Sequence, residues 1–159
     1  CLTEALFSLM KEYDFEQITV TRLCEKAGVS RNTFYKTFGS VRDVFRGSVM
    51  RFNRDIIFRR LGNPFGKACQ KQWYEGYFNI IAQYADVLRV IMNSDVALYY
   101  MQQGNALMVS SKQDAETRYA RYMWSGAIQN ITMEWLSSGM LQSPEQMAEI
   151  CVKIGLSCK

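Results

Sequence analysis

Apolar residues recur at three- and four-residue steps along most of this chain, and strand-like alternation is scarce. Val20, Leu23 and Cys24 mark the inner face of a helix predicted over 20–26, with Thr19 as its N-cap. Ala27-Gly28 closes that helix. Alanine lets two helices cross closely, and glycine accepts the left-handed backbone of a tight corner. Val29 plugs the corner, Ser30 caps a second helix, and Phe34 and Phe38 bury on its inner side. The outer side carries Arg31, Asn32, Thr33, Tyr35, Lys36 and Thr37. Ser40, with Asp43 three residues on, opens another helix through a variant of the capping box. Val44, Phe45, Val49, Phe52 and Ile56 extend it as one amphipathic helix from Val41 to about Leu61, where Leu61-Gly62-Asn63-Pro64 breaks it.

Beyond the break the pattern predicts helices near 67–84, 86–92, 95–110, 114–138 and 144–157, which makes the protein all-α. The helix over 114–138 is apolar around most of its circumference. Ala120, Trp124, Ala127, Ile128, Ile131 and Trp135 lie on one face, and Tyr119, Tyr122, Met123, Gly126 and Met133 on a neighbouring one. Such a helix is buried on more than one side. Gly139 ends it, and Ser143-Pro144-Glu145-Gln146 restarts a helix whose stripe is Met147, Ile150, Cys151 and Ile154. Two such helices from each of two chains make a four-helix dimer interface, for which Tyr122, Gly126, Met133, Met147, Ile150 and Ile154 are the candidates. Periodicity alone does not separate that reading from the closing of a monomer's own core.

A short helix with an apolar root and a cationic, hydroxyl-rich outer face suits the DNA major groove. The run Ile18-Thr-Val through Ala27-Gly-Val-Ser-Arg-x-Thr-Phe-Tyr-x-x-Phe-Gly-Ser40 resembles the DNA-binding domain of the tetracycline-repressor (TetR) family of bacterial transcription regulators. The likeness covers about residues 5 to 50, with Leu6-Phe7 fitting the end of the family's first helix. It implies an N-terminal three-helix helix-turn-helix domain over 1–47 and a C-terminal helical ligand-binding and dimerisation domain over 48–159. It also implies phosphate contacts from Thr19, Ser30, Tyr35 and Thr37, with Arg31, Asn32, Thr33 and Lys36 nearest the base edges and Arg22 reaching either. One position departs from the pattern: the lysine usual after the Gly-Ser is Val41 here, and Arg42 is the substitute. A second likeness, from Gly126-Ala-Ile through Trp135-Leu-x-x-Gly139 to Ser143-Pro-Glu, is to a branch that includes regulators of dihydroxyacetone kinase genes.

Charge sharpens the division. Residues 1–60 hold 11 Lys and Arg against 7 Asp and Glu, whereas residues 61–159 hold 8 of each. The whole net charge of +4 therefore sits in the half expected to meet phosphates, which is where counterion release needs it. No apolar run reaches the ~18 residues of a membrane span. Cysteines at 1, 24, 69, 151 and 158 show no Cys-x-x-Cys spacing. Cys24, Cys69 and Cys151 are expected as buried thiols, and a cytoplasmic setting follows. The chain begins without methionine inside what reads as a first helix, so further N-terminal residues are expected before Cys1.

Enzymatic chemistry finds few parts here. There is no histidine, which excludes His-based triads, Cys-His dyads and most zinc or haem sites, and no glycine-rich phosphate loop is present. No cofactor or metal is expected. The expected partners are double-stranded DNA, a second copy of the chain and a small-molecule effector, with no membrane. Trp73, Tyr74, Tyr77, Phe78, Tyr84, Tyr99, Tyr100 and Met101 suit either a plain core or an apolar pocket, and Tyr77 and Trp124 are the candidate ligand contacts. Two functions stay open at this point: a ligand-responsive homodimeric repressor on a near-palindromic operator, or a dimeric sensing or protein-binding co-activator that does not rely on DNA.

Overall fold

A computed structural model describes residues 1–65 and 70–155. Among the described residues every regular element is helical. The first unit comprises α1 (Leu2–Leu9), a 3-10 turn (Phe15–Gln17), α2 (Val20–Ala27), α3 (Arg31–Tyr35) and α4 (Val41–Arg51). A π-helical stretch (Phe52–Phe58) and α5 (Arg59–Leu61) continue α4. Then follow α6 (Gln70–Gln83), α7 (Ala85–Met92), α8 (Ala97–Met108), α9 (Ala115–Ser137) and α10 (Pro144–Lys153). The expected starts at 67–69 and ends at 156–157 fall outside the described residues, as do Cys69 and Cys158.

Local chemistry sets the helix ends. Thr19, Ser30, Ser40, Asp114 and Ser143 each accept a backbone N–H of the first turn they precede. Ser143 and Gln146 form a reciprocal box with Pro144 at the first helical position. At the other end of α2, Gly28 takes φ 66°, and Val29 N–H reaches back to the Cys24 carbonyl at 3.0 Å, a Schellman closure. Gly139, at φ 84°, ends α9 in the same way, with Met140 N–H on the Trp135 carbonyl at 2.8 Å.

Two apolar clusters hold the molecule. The first joins Leu6, Leu9, Phe15, Leu23, Phe34, Val44, Phe45 and Val49 from α1–α4, and it is closed by Ile91 of α7 and by Val96. The second collects Ile57, Trp73, Tyr74, Phe78, Trp124, Ile128, Trp135, Ala148 and Cys151. Tyr100 touches both. Inside the second cluster Trp124 Nε1 donates to Tyr74 Oη at 2.9 Å, and Trp135 Nε1 donates to the Gln142 carbonyl at 2.9 Å. Arg89 of α7 donates to the Leu136 carbonyl at 3.1 Å, placing a cation at the C-terminal end of α9 where the helix dipole favours it.

Three expectations change. The helix over 41–61 is not uniform: α4 gives its buried Val44, Phe45 and Val49 to the first cluster, while Ile57 serves the second. The wider π-helical turns between them shift the phase of the inward face. Second, α10 lies along α6 rather than pairing mainly with α9. As a result Met147, expected at a dimer interface, is 5% exposed inside the chain's own core and is removed from that list. Third, α3 stops at Tyr35, so Lys36 and Thr37 stand in the turn after it.

Candidate nucleic-acid interface and central cavity

The α3 corner is built from the inside outward. Phe34 is fully buried, with the Tyr35 ring edge-on at 5.3 Å and Phe38 at 5.9 Å. Because a helical turn is 3.6 residues, burying Phe34 turns Asn32, Thr33 and Tyr35 to solvent; these three and Arg31, at the start of the helix, are exposed, as are Thr19, Ser30, Lys36 and Thr37. Thr33 N–H donates to Ser30 Oγ at 3.1 Å, and the Ser30 and Thr33 hydroxyls are 2.9 Å apart. Tyr35 is 51% exposed and points its phenol away from the core. Among the described residues neither Arg31 nor Lys36 has an acidic partner. The corner therefore offers two uncommitted cations, an amide and several hydroxyls on one convex face, which is a hydrogen-bonding set for phosphates and base edges.

Two other expected contacts are committed inside the chain. Arg22 Nη1 donates to the Gln17 carbonyl at 3.0 Å, and its guanidinium lies over the Tyr13 ring at 4.2 Å. Arg42 is ion-paired with Glu16 and stacked over Phe15 at 5.3 Å. Both remain partly or fully exposed, but each would have to leave a partner to reach a phosphate. Val41, which holds the place where a lysine is usual, is 8% exposed and packs into the first cluster.

The other feature is a cavity of about 50 Å³ between the π-helical stretch, α6, α8 and α9. Tyr77 and Trp124 both line it, together with Trp73, and the Trp73 and Tyr77 rings stack at 5.3 Å. The Tyr77 hydroxyl is 3.0 Å from Thr132 Oγ1. Burial pushes the Tyr77 phenol up to about 12, against a smaller opposing pull from Thr132, and burial likewise raises Tyr100. Met133 is half-buried on the wall of this cavity. Four methionines, Met92, Met101, Met108 and Met133, give it walls that can repack.

Two further lining residues were missed from sequence: Asn53 and Gln129. Asn53 is 9% exposed with its Nδ2 unpartnered, and Gln129 Oε1 is buried and unpartnered. A signal for Asn53 existed. It interrupts the row Val49–Asn53–Ile57, where an apolar residue would be ordinary. A second cleft of about 350 Å³ between α1, α4 and α7 is lined almost wholly by apolar groups such as Phe7, Val49, Ile56 and Leu88 and holds no orphaned polar atom among the described residues.

The candidate interface surfaces at the C-terminal end are partly open. Tyr122, Ile150 and Ile154 are exposed, and a Cβ built on Gly126 meets nothing within 4 Å. Among the described residues no helix is long and apolar enough to cross a membrane. No curated protein matches the chain. Residues 2–47, which contain the whole corner described above, match the family of bacterial regulatory proteins called the tetR family. The N-terminal segment is therefore a helix-turn-helix domain of that family, and the protein is a DNA-binding transcriptional regulator with a helical C-terminal region.

Proposed function

We propose that the protein is a ligand-responsive homodimeric repressor that reads a near-palindromic operator through α3. The observation that carries this reading is the exposed, acid-free face of Arg31, Asn32, Thr33, Tyr35 and Lys36 over the fully buried Phe34. In this reading Arg31, Asn32, Thr33 and Lys36 approach base edges, while Thr19, Ser30, Tyr35 and Thr37 hold phosphates. Arg22 and Arg42 play a lesser part because of their partners within the chain. In this reading the domains divide at 47/48, and the C-terminal likeness to a branch that includes regulators of dihydroxyacetone kinase genes supports a place beside that branch.

The lever is the helical run from Val41 to Leu61. Its first turns pack with the DNA-reading unit, and its π-helical turns line the cavity. A ligand there changes the tilt of α4 and with it the separation of two recognition helices, which must sit about 34–36 Å apart to meet successive major grooves. Differential binding of a few kcal/mol between the two forms is enough to release DNA.

Selection of bound fragments from random DNA tests the whole reading. The expected product is a set of near-palindromes whose half-sites lie one helical turn apart, bound with steep salt dependence. No binding at low salt would favour the co-activator reading instead. Within that assay Tyr35→Phe removes one hydroxyl and keeps the ring. It is expected to weaken all sequences alike by roughly two- to tenfold, the worth of one hydrogen bond. A changed sequence preference at intact affinity would refute the phosphate role.

The dimer surface is proposed to run over Tyr122, Gly126, Met133, Ile150 and Ile154. Gly126→Leu has free space within its own chain, so it is expected to fold normally. Across a two-fold interface the added side chain intrudes twice at about 1–3 kcal/mol each, raising the dimer dissociation constant at least tenfold. Sedimentation equilibrium reads this directly, and an unchanged dimer would move the interface elsewhere.

A further inference from the structure

The cavity carries chemical information about its ligand. Among the described residues its lining holds no Lys, Arg, Asp or Glu, so a carboxylate or ammonium entering it would be buried without a counter-charge from them, at heavy cost. Aromatic and aliphatic groups make up most of the wall, among them the stacked Trp73–Tyr77 pair. Against that apolar lining stand two unsatisfied polar atoms, a donor at Asn53 Nδ2 and an acceptor at Gln129 Oε1. The Gln129 orientation is fixed by its own network: Nε2 donates to Ser125 Oγ at 2.7 Å and to Asn105 Oδ1 at 3.4 Å, which leaves Oε1 over. A buried orphan of this kind bears the cost of its lost hydration, and a structure that keeps two at one cavity is poised for a molecule that satisfies them.

We infer that the cavity takes a small, uncharged, flat ring compound of the lactam class, whose carbonyl accepts from Asn53 and whose N–H donates to Gln129. The inference deepens the effector reading above and rests on it. At about 50 Å³ the cavity has room for a few waters, so the ring enters by displacing the methionine walls. The α8 side is where they yield, because α8 contributes Ala97, Tyr100, Met101, Gly104 and Met108 to the lining yet has no fully buried residue of its own. Asn53 is also the point at which occupancy reaches the lever, since it belongs to the π-helical stretch itself.

Three six-membered probes of similar size separate the possibilities: 2-pyridone (donor and acceptor), benzene (neither) and benzoate (charged). Binding is followed by the indole N–H signals of Trp73 and Trp124 in two-dimensional NMR, with Trp135, which does not line the cavity, as internal reference. The expected result is a 2-pyridone dissociation constant at least about tenfold below that of benzene, and no response to benzoate. Asn53→Leu, of similar size, is expected to erase the preference while leaving benzene binding intact and the melting temperature unchanged or higher. Gln129→Leu is a second variant that should reduce the same preference. Equal affinities for the two neutral rings, a preference that survives both substitutions, tightest binding of benzoate, or no response to any probe overturns the assignment; the orphans are then served by water alone. DNA release is scored separately by fluorescence anisotropy. Preferential 2-pyridone binding without release would sink the effector reading and leave the ligand class standing, whereas release by a probe bound without that preference would do the reverse.

Discussion

Phe34→Ala is expected to destabilise the N-terminal unit by about 3–5 kcal/mol and to abolish operator binding at ordinary protein concentrations. The ring is completely buried, and it is the contact that seats a five-residue helix against α2. A helix this short has almost no stability of its own, so its geometry is set by what it buries. Removing the ring leaves a cavity beside Tyr35 and Phe38, which lose their ring contacts to it. Small domains have only about 5–15 kcal/mol in hand. Urea unfolding read by circular dichroism should show the loss, and anisotropy on a selected duplex should show binding falling with it. Because Ile91 and Val96 complete the same cluster, the loss should extend into α7 rather than stop at residue 47. A variant that unfolds at the wild-type midpoint would mean that α3 is held by something other than this ring.

What the sequence made legible was whatever depends on neighbours a few residues apart. The caps at Thr19, Ser30, Ser40 and Ser143, the left-handed corner at Gly28 and the helix stop at Gly139 are all legible, because each is decided within one turn of helix. The inward faces of Phe34 and Val49 were equally plain from periodicity. Partners across space were not. A period names a buried face without naming what covers it, so the stripe through Met147 suits another chain as well as its own, and the second cluster of its own chain is what buries it. The sequence offers Arg42 as the substitute phosphate contact but does not show its ion pair, because Glu16 lies 26 residues away and the two meet only once the 3-10 turn folds beside α4. The π-helical stretch was invisible for a related reason. It reconciles two cores that want different phases of one helix, and neither core can be seen from the stripe alone.

The double substitution Arg31→Ala with Lys36→Ala should separate binding from folding more cleanly than any other change. Both side chains are exposed and without an acidic partner among the described residues, so removing them should leave the unfolding free energy within about 0.5 kcal/mol of wild type. On DNA the loss should be large. A side chain well placed on a base edge is worth about 1–3 kcal/mol, so two together weaken the selected operator by roughly a hundredfold or more, allowing for coupling between near neighbours. Their charge should also show. Each cation withdrawn from the phosphate field lowers the slope of log affinity against log salt by about one, so the double variant's plot should be flatter by about two. Base-edge contacts predict that the operator loses more than random duplex does, narrowing the specificity ratio. A uniform loss across sequences would assign both residues to phosphates, and a normal affinity with the slope unchanged would place the DNA on a different face of the domain.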